Sequence, residues 1–182
     1  MIFGVTGFNA AGKGEFCEYL VSKGFAAYSL SDIIREELTA EGKEITRENL
    51  IAKGRELRSK FGNSVLAKRT MQKLEPGKDY VIDSIRNPEE ITLLKRHQGF
   101  RLVFIDAPMM KRYLRVMKRK REGEEKLTLE RFRELEEQEL KNADPSGQQL
   151  LKCKEMADIN LVNDSTLQAF HKKIDKLLGE RA

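Results

Sequence analysis

The sequence predicts an α/β fold: a mainly parallel, five-stranded sheet with helices on both faces. Three observations predict it. Short apolar runs alternate with longer segments of helical period along the chain, a pattern that builds parallel strands joined by helical crossovers. Aspartates and glycines stand just after the strand-like runs, where open α/β sheets bind ligands. The 182 residues are 40% apolar and 35% charged, enough for one core under a heavily charged surface.

In chain order, "MIFGVTG" (1–7) reads as a buried strand. Residues 13–23 carry Phe16, Cys17, Leu20 and Val21 on one helical face. "FAAYSL" (25–30) is a second strand, and Ser31 or Asp32 is placed to cap the helix after it. From about 32 to 75 the pattern is helical and broken, with punctuation at Gly42, Gly54 and Gly62. "DYVID" (79–83) is a third strand. In "NPEEI" (87–91) Asn87 is a helix cap, Pro88 takes the first helical position and Glu90 stands three residues after the cap. "FRLVFIDAP" (100–108) is a fourth strand ended by Pro108. A basic helix follows, then polar "REGEEKLT", then a charged helix over about 129–142. "NADPSGQQ" reads as a turn region and "ADINLV" (157–162) as a fifth strand. The last helix aligns Leu167, Phe170, Ile174, Leu177 and Leu178.

Composition excludes several classes. The opening run has no basic leader and stops at Gly7, unlike a signal peptide. No stretch approaches the roughly 18 apolar residues of a membrane span. Cys17 and Cys153 form no CxxC pair and read as core filler in a reduced, cytoplasmic setting. His97 and His171 lie in polar surroundings and read as surface residues, with no metal cluster. The net charge of +5 suits an anionic ligand. Part of it is local: "KRYLRVMKRKR" (111–121) holds seven Lys or Arg. Tyr113 is its one ring, and without aromatic interleaving nucleic acid is not the expected partner.

"GFNAAGKG" (7–14) fits G-x-x-x-x-G-K between a strand and a helix, the context of a phosphate-binding loop. Its glycines let backbone amides converge on a phosphate, and the new helix points its positive end at the same place. Lys13 adds a full charge within reach of the outer phosphates. The loop predicts contacts from Gly7, Asn9, Ala10, Ala11, Gly12, Lys13, Gly14 and Glu15. A Ser or Thr commonly follows the lysine and serves Mg²⁺; here Gly14 and Glu15 follow. A carboxylate there repels phosphate unless it turns outward or meets the metal through water. It is also an ordinary first-turn acid.

Further candidates stand at the ends of the later strands. Asp32 is a candidate helix cap, and Arg35 lies one turn on, free to face the same cleft. Asp83 ends an apolar strand, where it either holds Mg²⁺ through water or caps a turn. Arg86 follows in the loop and suits a phosphate. Arg112, Arg115 and Arg119 share one helical face, whereas Lys118, Lys120 and Arg121 read as solvated. Asn163 and Asp164 are candidate caps.

Several motifs carry a resemblance. "SLSDIIREEL" resembles the S-x-x-D-x-x-R stretch of adenylate-kinase-type enzymes, which also carry G-K-G after the loop. "VIDSIRNPEEI" is similar to their D-G-x-x-R element, and more so to the D-x-x-R-N-P-x-E runs of deoxynucleoside monophosphate kinases. "IDAPMMKRYLRVMKR" resembles the approach to a nucleotide-kinase lid, and "EMADINLVNDSTLQAF" the A-D-x-x-I-x-N ending of dephospho-CoA kinases. The chain most resembles the archaeal adenylate kinase-related, dephospho-CoA kinase-like group of P-loop proteins. That likeness implies a three-layer P-loop NTPase sandwich in one domain over residues 1–182. An acceptor-binding insert spans about 32–75 and a short helical lid about 119–131. It implies ATP and Mg²⁺ as cofactors and a small nucleotide as acceptor, either a nucleoside monophosphate or dephospho-CoA. Lys13, Asp32, Arg86, Arg115 and Arg119 become the catalytic set, with Asp32, Arg35 and Arg86 holding the acceptor. Asn163 lies near the adenine, and Arg131 or Arg133 reaches back from beyond the lid. The alternative is an ATP-binding regulatory module with little turnover, motivated by Glu15.

Overall fold

The computed structural model describes residues 1–119, 127–140, 144 and 147–179. Five strands form one sheet: β1 (Ile2–Gly7), β2 (Ala26–Ser29), β3 (Tyr80–Asp83), β4 (Phe100–Asp106) and β5 (Ile159–Val162). Their order is β2-β3-β1-β4-β5, and every pairing is parallel. The register aligns Gly7 with Ile105 and Ser29 with Asp83, so the residues after each strand gather along one carboxyl edge. All six residues of β1, the central strand, are buried.

Alternation along the strands divides the core between two faces. Ile2, Tyr80, Ile82 and Leu102 pack on one side. That side carries α2 (Leu30–Ala40), α3 (Arg47–Phe61), α4 (Val65–Met71), α5 (Pro88–Leu94) and α8 (Leu150–Glu155). Phe3, Val5, Val81 and Val103 pack on the other, against α1 (Lys13–Ser22) and α9 (Leu167–Gly179). The layers are helix, sheet, helix. The remaining helices, α6 (Met109–Arg119) and α7 (Leu129–Leu140), follow β4 on the carboxyl side. Residues 120–126, most of the expected lid, lie outside the described residues, as do Lys120 and Arg121. Among the described residues no helix is long and apolar enough to cross a membrane.

Several boundaries differ from expectation. The cap of α2 is Ser29, not Ser31 or Asp32. Asp32 is the third helical residue, and its Oδ2 accepts from the Ser29 amide at 3.1 Å. The chain passes from strand to helix with no linker, which hid the start. Gly54 does not interrupt α3 but sits inside it, where an added Cβ would meet Ile34 at 3.1 Å and Arg58 at 3.4 Å. Helix α8 was not anticipated, since six residues with two buried positions show no helical period.

The two free thiols differ in exposure, Cys17 being partly exposed and Cys153 buried. Cys153 is fully buried, and burial with the nearby Glu90 carboxylate pushes its pKa up to about 12. Burial, and then Asp83, also raise Cys17. In the native protein Cys153 is expected to resist a thiol alkylating agent at mildly alkaline pH and to react once the protein is denatured. Rapid native labelling of Cys153 would contradict the packing described.

Candidate functional site

The loop after β1 is built by backbone geometry that side chains oppose. Gly7 has φ 145°, and a Cβ there would lie 2.1 Å from the Ile105 carbonyl oxygen. Gly12 has φ 113°, and a Cβ there would lie 2.3 Å from Asn163 Nδ2. Ala10 takes φ 57°, a left-handed conformation uncommon for a residue with a side chain. The result is a tight turn closed by the Ala11 amide donating to the Phe8 carbonyl at 3.2 Å. Gly12 caps α1 without a side-chain bond, so the first amides of that helix face the loop.

Lys13 folds back over the turn. Its Nζ donates to the carbonyls of Gly7 at 2.9 Å and Phe8 at 2.8 Å. Two arginines reach the loop from α6. Arg115 donates through Nη1 to the carbonyls of Ala10 and Ala11 at 3.2 and 3.1 Å, and through Nη2 to Asn163 at 3.2 Å. Partial burial pulls the Arg115 guanidinium below its ordinary pKa, and it stays charged across the physiological range. Arg119, one turn on, donates to Asn9 Oδ1 at 3.3 Å. Buried Asn163 donates through Nδ2 to the Ala11 carbonyl at 2.9 Å, and its own amide donates to Asp106 at 2.8 Å. It braces the loop from behind. The cap of α9 is instead Thr166, whose Oγ1 accepts from Ala169 at 3.2 Å, and Asp164 pairs with Lys173 at 2.8 Å.

Arg112 shares the helical face of Arg115 but is spent on packing. It is buried, donates through Nε to the Ala107 carbonyl at 2.8 Å, and pairs through both terminal nitrogens with Glu136 of α7. Its guanidinium also lies over the rings of Phe8 and Phe132, at 4.9 and 5.8 Å. This anchor fixes α6, and with it Arg115 and Arg119, against the loop. Arg131 is exposed and pairs with Glu134 at 2.9 Å, and Arg133 is exposed; neither is brought to the loop.

The acceptor candidates gather at the ends of β2 and β3. Asp32 pairs with Arg35 at 2.8 Å, and both remain nearly half exposed. The same Arg35 nitrogen reaches Ser31 Oγ at 2.8 Å. Ser29 links to Ser31 at 2.8 Å and to Ser84 at 2.9 Å. Ser84 has φ 66°, strain of the kind that collects at functional sites. Sequence reasoning passed over Ser29 and Ser84 and read Ser31 only as a helix cap, because serines near turns are common. Arg86 donates to Gln148 Oε1 at 2.7 Å, and its carbonyl accepts from Gln149 at 2.8 Å. The stretch read as a turn region therefore seats Arg86.

Behind Arg86 lies a second feature missed in the sequence. Glu90 was expected as part of a capping box, and it is: Oε2 accepts from the amides of Asn87 at 3.0 Å and Arg86 at 2.9 Å. Its other oxygen accepts from Arg58 of α3, through Nη2 at 2.9 Å and Nε at 3.1 Å. Glu90 is 0% exposed and Arg58 7%. One buried carboxylate thus ties α3 to the loop that presents Arg86.

Asp83 ends β3 next to this group. Its Oδ1 is buried with no hydrogen-bond partner, an arrangement that a carboxylate tolerates poorly unless a cation or its water completes it. Asp83 lies near enough to Cys17 to raise its thiol, and Lys13 acts on the same thiol in the opposite sense. One free carboxylate oxygen beside a phosphate loop suits Mg²⁺, which keeps most of its waters and uses few protein ligands.

Glu15, the departure at the loop's end, does not point along the helix axis. His171 of α9 holds its Oε1 through Nε2 at 2.6 Å. His171 is therefore partnered, against the expectation of a lone surface residue. Tyr19 stacks on its ring at 3.9 Å.

With this geometry in view, the likeness to known proteins is informative. A family profile described as an AAA domain matches residues 4–142. A UPF0200 protein of Sulfurisphaera tokodaii is 30% identical over 177 residues, covering 97% of this chain and 95% of its own. The chain is an AAA-domain protein of the UPF0200 family. A second UPF0200 protein, from Thermoplasma acidophilum, is 32% identical and covers 97% of this chain and 94% of its own. Among solved structures, shikimate kinase from Bacteroides thetaiotaomicron superposes with a TM-score of 0.62 at 13% identity, covering 98% of each chain. Shikimate kinase from Aquifex aeolicus gives 0.56 at 18%, covering 99% of this chain and 97% of its own. This UPF0200 protein has the fold of the P-loop kinases.

Proposed function

We propose that this protein is an ATP-dependent phosphotransferase acting on a small nucleotide, in the manner of nucleoside monophosphate or dephospho-CoA kinases. One observation carries the reading: Lys13, Arg115 and Arg119 converge on one strand-to-helix loop, on the carboxyl edge that also holds Asp32 and Asp83. Cations meet at the loop, and carboxylates stand at the neighbouring strand ends. That is the distribution phosphoryl transfer requires.

The amides at the start of α1 and Lys13 bind the β- and γ-phosphates. Asp83 would hold Mg²⁺ through water, and the ion would supply neutralisation of the phosphate charge there. Arg115 and Arg119 exchange carbonyl and amide partners for the transferring group, and Asn163 keeps the loop in shape. Arg35 and Arg86 place the acceptor. A phosphate-bearing acceptor draws Arg35 from Asp32 and leaves the carboxylate to orient. A hydroxyl acceptor gives its proton to Asp32. Residues 1–182 act as one domain, with α2–α4 as the acceptor-binding insert and the segment at about 119–131 as a lid, in the cytoplasm. The Glu15 carboxylate, which motivates the alternative of a regulatory module, has a partner on α9, and that contact supports the phosphotransferase reading.

Calorimetric titration with MgATP tests the reading. We expect one site per chain, with adenosine binding far more weakly because it lacks the phosphates. Equal affinity for ATP and adenosine would contradict a phosphate-gripping loop. In the transfer reaction, Arg115→Ala is expected to lower kcat by on the order of 10²–10³ with KM for ATP changed less. An unchanged kcat would remove Arg115 from the transition state.

A further inference from the structure

We infer that His171 is a positioning residue for the phosphate site, holding the Glu15 carboxylate off the triphosphate. The inference rests on the phosphate reading of the loop, and goes beyond it to a residue on the far side of α1.

Glu15 is the third residue of α1, the helix whose amino end faces the loop. Left free, its carboxylate can swing toward the negative charge that the helix end attracts. Glu15 is about a third exposed, so water weakens that repulsion without removing it at a separation of a few Å. The structure removes the choice. A carboxylate only accepts, so His171 Nε2 carries the proton and donates at 2.6 Å. The pull is sideways, toward α9, away from the axis end of α1.

The imidazole is itself held. Tyr19, one turn along α1 from Glu15, stacks on it with centroids 3.9 Å apart. The Tyr19 hydroxyl reaches both oxygens of Asp175, one turn along α9, at 2.9 and 2.8 Å. Lys23 closes the far end, 3.0 Å from Asp175 and 4.8 Å above the Tyr19 ring. The α1–α9 seam is thus a brace with a stacked Tyr19–His171 pair at its centre and a carboxylate partner on each ring. Packing alone does not demand it, since these groups lie at the margin of the apolar cluster formed by Phe16, Leu20, Phe170 and Ile174.

The test compares ATP affinity by calorimetry in wild type, His171→Ala, Glu15→Gln, the double variant, and His171→Gln. Thermal midpoints serve as the folding control. His171→Ala is expected to weaken ATP roughly 10- to 100-fold, as a freed like charge near the phosphates should. Glu15→Gln in the same chain is expected to restore it, because the repulsive charge is gone. His171→Gln keeps a donor and is expected to lose less than alanine. An unchanged affinity in His171→Ala overturns the inference. So does a double variant as weak as His171→Ala, because the loss is then structural and not the work of Glu15. Failure of the wild-type protein to bind ATP overturns the loop reading itself, and this inference with it.

Discussion

Arg58→Ala is expected to destabilise the protein by about 3–5 kcal/mol, the usual cost of leaving one member of a buried ion pair uncompensated. Its partner Glu90 is 0% exposed in the native packing. For a chain of this size the thermal midpoint should fall by roughly 10 °C. In many proteins a buried pair can be exchanged for apolar residues at little loss. Here that exchange is expected to fail. Glu90 also accepts the amides of Arg86 and Asn87, and an apolar residue would orphan both. Arg58→Met with Glu90→Leu should therefore be no more stable than Arg58→Ala. Differential scanning calorimetry of the three proteins checks this. A fall of less than about 2 °C in Arg58→Ala would mean that the pair does not hold α3 to the Arg86 loop.

Lys13→Ala should leave the fold in place and disable the loop. In the resting arrangement the ammonium satisfies the Gly7 and Phe8 carbonyls. Its loss should cost on the order of 1–3 kcal/mol, as for other bonds to a charged donor. The functional loss is larger, because the same charge is the one that reaches the outer phosphates. Turnover is expected to fall on the order of 10²–10³, with ATP affinity also reduced. Circular dichroism with ATP titration separates the two effects. Wild-type ATP affinity in a folded Lys13→Ala protein would show that the loop does not bind phosphate.

The strands were legible because each is a short, nearly continuous apolar run between turn residues, as a sheet buried on both faces demands. The loop was legible because its chemistry is local: glycine spacing, a lysine and a following helix lie within eight residues, 7–14. Arg115 and Arg119 were legible for the same reason, since a four-residue spacing fixes their common face. Arg112 belongs to that face too, yet its fate was set by Glu136, in a different helix. The contacts that shape the site most firmly are those no spacing encodes. Arg58 meets Glu90 across 32 positions. Glu15 meets His171 across 156. A sequence shows neither the partner of Glu90 nor that of Glu15, and only the folded arrangement of α3 with α5 and of α9 with α1 turns them into pairs.

An acceptor screen tests phosphoryl transfer itself. Purified protein with Mg²⁺ and γ-labelled ATP is offered the ribo- and deoxynucleoside monophosphates and dephospho-CoA, and labelled product is identified. The account predicts one strongly labelled acceptor at rates in the ordinary kinase range, about 1–100 per second. ATP bound tightly with label passed to none of them would contradict a nucleotide kinase.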